Sequence, residues 1–138
     1  MNDHLPNDSQ QDVENETLAQ RLKSCGLPGF NRACRYAESQ NLEASVHFEQ
    51  VAPSLSRLSL SVRRQGDAKA STYQVLVEEN KQRVIHEQYF AADQSTRHEE
   101  TLPSAINEMV MDSRLEAFFS KAFNLLLPYL KDRHPPGF

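Results

Sequence analysis

The sequence predicts an α+β fold: two short N-terminal helices, a four-stranded antiparallel meander, and a long C-terminal helix packed on the sheet. Three observations predict it. Apolar residues recur every three or four positions before Asn41 and after Thr101, and every second position between them. The alternating segments are joined by short reversals at Pro53-Ser54, Gln65-Gly66-Asp67 and Asn80-Lys81, which favours antiparallel pairing. A sheet with one apolar face must be covered, and the C-terminal helix is the natural cover.

A chain of 138 residues is one domain by length. Residues 1–14 read as a disordered acidic tail, since they lack apolar periodicity and are rich in Asn, Asp and Gln. Residues 15–131 form the domain, and residues 132–138, with His134-Pro135-Pro136-Gly137, a frayed end.

The first helix is expected from Glu16, with Leu18, Leu22 and Cys25 on one face and Gly26 as its stop. A second is expected from Phe30 to Ser39, after Pro28-Gly29, with Phe30, Ala33, Cys34 and Ala37 as its stripe. The period then changes. Leu42, Ala44, Val46 and Phe48 alternate with Glu43, Ser45, His47 and Glu49, a strand with one wet face. Leu58, Leu60 and Val62 mark the second strand, and Tyr73, Val75 and Val77 the third. Gln82–Ala91 is the fourth, with apolar residues on both parities, which suggests either two covered faces or a bulge. Residues 92–101 read as a polar loop. Thr101-Leu102-Pro103 then opens a helix that runs to Leu127. Its stripe is Leu102, Ile106, Met109, Val110, Ser113, Ala117, Phe118, Ala122 and Leu125. Ser113-x-x-Glu116 has the form of a capping box, so one helix or two remain open.

The net charge of −4 belongs to the N-terminus. Residues 1–16 carry five acidic side chains and no Lys or Arg. The remainder carries 15 basic and 14 acidic groups, a net of +1. A near-neutral body exerts no long-range pull on nucleic acid or anionic lipid. No apolar run reaches membrane-spanning length, and the first residues lack the basic start and apolar core of a secretory signal. Together with only two cysteines, Cys25 and Cys34, this makes a reducing, cytoplasmic setting the expectation. A bridge between them is not implied.

No arrangement for catalysis stands out. There is no G-x-S-x-G elbow, no phosphate-cradling glycine loop and no H-E-x-x-H, so no catalytic residue, metal or cofactor is expected. The C-terminal helix holds the strongest signal. Leu115, Phe119, Phe123 and Leu127 repeat every four residues beside the main stripe. The apolar arc is thus wider than the roughly 100° one packed face needs. Either the N-terminal helices bury that second line, or it is a partner or self-association face of aromatic anchors. Arg21, Arg32 and Arg35 are candidate anion contacts, weighed against ordinary solvated helix faces.

In size and layout the chain is similar to several unrelated intracellular adaptors, secretion chaperones among them, without any motif in common. The expected function is a non-enzymatic protein-binding module: adaptor, chaperone-like or regulatory. It would dimerise through the C-terminal helix and take another protein at a free sheet edge or in a groove beside that helix. A second expectation is a small-molecule site or minor enzyme between sheet and helix, lined by Phe48, Tyr73, Tyr89, Met109 and Phe118. A weak nucleic-acid contact through the basic N-terminal helices is the third.

Overall fold

Alternation from Leu42 to Phe90 is realised as an unbroken meander in the computed structural model, which describes residues 16–133. The expected tail at 1–14, and all but the first two residues of the expected tail at 132–138, lie outside the described residues.

The sheet comprises β1 (Leu42–Ala52), β2 (Leu55–Arg64), β3 (Ser71–Glu78), β4 (Arg83–Phe90) and β5 (Ser95–Thr101). Its spatial order follows the chain, and every neighbouring pair is antiparallel. Five strands replace the expected four. The segment read as a polar loop is β5, with the sequence Ser-Thr-Arg-His-Glu-Glu-Thr. It pairs with β4 in unbroken register from Phe90↔Ser95 to Val84↔Thr101. Most of it is exposed on both faces, so it carries no apolar period that could reveal it.

The fourth strand is also simpler than expected. It has no bulge. Val84, His86, Gln88 and Phe90 all point to the buried face, and Ile85 and Tyr89 to the open one. Two polar residues on the inner parity disguised a regular strand.

All helices lie on one face. Helix α1 (Leu18–Cys25) crosses β2 and β3, and α2 (Leu27–Ser39) covers β1 and β2. The two join at Gly26 as one bent helix. Gly26 N–H still donates to Leu22 O at 2.8 Å, and Phe30 N–H returns to Gly26 O at 3.0 Å. α2 therefore starts three residues before Phe30, with Pro28 in its first turn, where no N–H is needed. A Cβ at Gly26 would lie 2.8 Å from Leu22 O and 3.1 Å from both Leu58 and Met111, so the bend depends on glycine.

The start of α1 is fixed from two sides. Thr17 and Gln20 form a reciprocal capping box. The Glu79 carboxylate, from the β3–β4 turn, accepts from Leu18 N–H at 3.0 Å and Ala19 N–H at 2.9 Å. The first three helical donors are thus satisfied, and the helix is tied to a turn residue some sixty positions away.

After β5 comes a single 3-10 turn, Pro103–Ala105, and then α3 (Glu108–Phe123). Asn107 caps it, accepting from Val110 N–H at 2.9 Å. The helix passes unbroken through Asp112 and Ser113, so the Ser113-x-x-Glu116 pattern is not a cap. It ends at Asn124, which takes the left-handed conformation (φ 53°), before the expected Leu127. A last turn, α4, spans Leu130–Arg133.

The stripe of α3 is a correction as well. Leu102 and Met109 are 74% and 60% exposed, and Ser113 and Ala117 face outward. The buried line is Met111, Asp112, Leu115, Phe118, Phe119 and Ala122. Phe118 stacks on Tyr73 (ring centres 5.9 Å apart) and Phe90 (5.7 Å), and Tyr73 on Phe30 (5.2 Å). These rings join sheet and helices into one aromatic core.

Candidate functional site

The second apolar line of α3 is enclosed within the subunit. Leu115 and Phe119 are 0% exposed and Leu127 is 1% exposed, all in the central core. The covering element is α2: Gly29 lies against Leu115, and Tyr36 meets Tyr129 edge-on at 5.9 Å. Phe123 is half-buried, with the Arg64 guanidinium 5.1 Å above its ring. The expected partner face at Leu115, Phe119, Phe123 and Leu127 is therefore corrected. Its apolar surplus is taken up within the subunit, with α2 as part of the cover.

The basic residues do not form one patch. Arg21 donates from Nε to Ile106 O at 3.1 Å. Arg32 reaches to 4.0 Å from the buried Asp112 carboxylate, which also lies against the first turn of α2 at Gly29. Arg35 alone is exposed. Two of the three anion candidates thus tie the N-terminal helices to the α3 region. The five lining residues expected for a ligand pocket are not brought together either. Tyr73 and Phe118 touch inside a closed core, Tyr89 is on the opposite sheet face, Met109 faces solvent, and Phe48 lies beneath Lys23.

A polar cluster sits where the core meets β5. Tyr73 Oη is 2.8 Å from His86 Nδ1, and His86 Nε2 is 3.2 Å from Thr101 Oγ1. Burial, and then the positive charge of Arg114, hold the imidazole down at about 4. Burial raises the Tyr73 phenol, which stays protonated. The neutral ring carries one N–H, so it donates in one of these two hydrogen bonds and accepts in the other. Arg114 pairs with Glu99 at 3.0 Å, and that hydrogen bond keeps the carboxylate below its usual range. The adjoining void, lined by His86, Gln88, Arg97, Glu99, Arg114 and Ala117, measures about 50 Å³. It is room for a water or two, not for an organic substrate. Sequence reading missed this cluster; the available signal was His86 and Gln88 on the same parity as Val84 and Phe90.

The two sheet edges differ sharply. On β5, Arg97 and Glu99 occupy the inward parity and His98 and Glu100 the outward one. Charges placed inward on an edge strand obstruct further pairing. β1 is eleven residues long and, among the described residues, pairs only with β2. Its inward row, Leu42, Ala44, Val46 and Phe48, is apolar and only half-buried, although α2 lies across it. Its outward row is Glu43, Ser45, His47 and Glu49, all exposed. Glu43 is paired with Arg63, and Glu49 with Arg57 at 2.7 Å. His47 lies on the wet face, opposite Ser59, as the alternation predicts.

No family model, curated protein or solved structure matches this chain.

The site is read from its own chemistry, then. Among the described residues no group of His, Cys, Asp and Glu is placed to hold a metal ion, and no helix is long and apolar enough to cross a membrane. Cys25 and Cys34 are free thiols, both half-buried. Burial, followed by the Glu38 charge, pushes the Cys34 thiol up, which disfavours the reactive thiolate. The strand β1 is the place where backbone donors and acceptors, apolar side chains and positioned charges coincide at the surface.

Proposed function

We propose that this protein is a non-enzymatic binding module, an adaptor or chaperone-like protein, that takes an extended strand of another polypeptide along β1. The observation that carries the reading is the contrast between the two edges: a long, half-apolar β1 whose outer edge pairs with no other strand among the described residues, and a β5 whose inward charges oppose pairing. Strand addition draws affinity from main-chain hydrogen bonds and specificity from alternate side chains. Both are on offer at β1. The incoming strand would set apolar residues beside Val46 and Phe48 and polar ones beside Ser45 and His47.

Residue-resolved hydrogen exchange tests this. Extended peptides of alternating apolar and polar residues should slow exchange at alternate β1 amides and leave β5 unchanged. Val46→Lys places a charge in the inward row and should abolish binding without altering the fold. Protection that falls on β5, or binding that survives Val46→Lys, would sink the reading.

A further inference from the structure

We infer that the strand added at β1 is β1 of a second copy, paired antiparallel about a two-fold axis through Ser45. This rests on the strand-adding reading above and goes further by naming the occupant and its register. Side-chain complementarity along one strand supports it. An isologous pair requires a strand that complements itself reversed.

With the axis at Ser45, Leu42 meets Phe48 and Ala44 meets Val46, each twice, on the inward row. On the outward row Glu43 meets His47 twice, and Ser45 meets itself. Each Glu43 carboxylate gains the His47 imidazole of the other copy as its cross-strand neighbour. Neighbouring registers do worse. An axis at Val46 sets Glu43 against Glu49 twice, like against like. An axis at His47 stacks the two imidazoles and opposes Glu43 to Val51. An axis at Phe48 also sets His47 against Glu49, but it carries the pairing into the stretch between Gln50 and Ala52, where the register of β1 itself shifts. The Arg63 contact holds the Glu43 carboxylate on the outward face, where the His47 of the other copy would arrive. Because α2 lies across β1, the same axis sets the two α2 helices on one face of the joined sheet.

Single-cysteine scanning of the full chain reads the register. In a Cys25→Ser/Cys34→Ser background, Ser45→Cys, His47→Cys and Phe48→Cys each place a thiol on the axis of one register. Mild oxidation should link the Ser45→Cys protein into a dimer most efficiently. Sedimentation of the otherwise native chain should show a reversible dimer whose Kd rises roughly tenfold in His47→Glu, where like charges face each other twice. A dimer that links best at His47 or Phe48 overturns the inference. So does a strict monomer at millimolar concentration. If that monomer still binds extended peptides in a Val46-dependent way, the copy is excluded while the strand-adding reading stands. If it binds none, both fall.

Discussion

His86 shows how one buried side chain couples the fold to pH. Its imidazole is held at about 4, against an ordinary 6.5, so the folded chain binds fewer protons than the unfolded one between those values. Stability is therefore complete above pH 6.5 and falls as the pH drops toward 4, by at most about 3 kcal/mol. Urea titrations at pH 7 and pH 4.5 should show the loss, and His86→Gln should flatten that slope. Tyr73→Phe leaves Nδ1 without its hydrogen-bond partner and should cost about 1–3 kcal/mol at pH 7, read as a lower urea midpoint. A second residue-scale device is Glu79. Glu79→Ala strips the carboxylate from two helical N–H groups and should lower stability by about 1–2 kcal/mol, with exchange of the α1 amides quickening first. Neither device was legible in the sequence. A histidine on an apolar parity and a glutamate in a turn announce nothing until their distant partners are in place.

At the level of elements, the period of the sequence located the helices and four of the strands, because those segments bury one face and expose the other. It failed where that contrast is missing. β5 is wet on both sides, and α3 is enclosed on two sides by sheet and α2, so its apolar arc is wide and the stripe phase ambiguous. Between the two lines on that helix, burial favours Leu115 and Phe119 over Leu102 and Met109. Phe119→Ala should therefore act as a core truncation, costing about 3–5 kcal/mol, and Met109→Ala should be nearly neutral in the same melt. Gly26→Ala should also destabilise, by about 1–3 kcal/mol, because the methyl group has nowhere to go between Leu22, Leu58 and Met111. The predicted break at Gly26 was right about the residue and wrong about the consequence. The glycine bends the helix path rather than ending it, since Pro28 falls in a first turn that tolerates it.

For the whole molecule, the helices occupy one side of the meander and leave the other to solvent, with Ser59, Ser61, Thr72 and Gln74 across its middle and ion pairs at its flanks. Among the described residues that open face is mostly polar, with a half-buried Leu76–Ile85 pair and Tyr89 as its apolar residues. The binding potential shifts to the rim, which a one-dimensional pattern cannot show: an edge strand and a central strand alternate alike, and only topology tells them apart. Even so, the alternation did assign the wet row of β1, Glu43 to Glu49, correctly.

The inward-pointing Arg97 and Glu99 of β5 set a limit on growth. A sheet open at both ends can lengthen copy by copy into a fibre. Here the inward charges obstruct one end, so strand pairing through β1 is expected to stop at a pair. Replacing both charges, Arg97→Val with Glu99→Val, would remove the stop, and light scattering should then report species heavier than two chains.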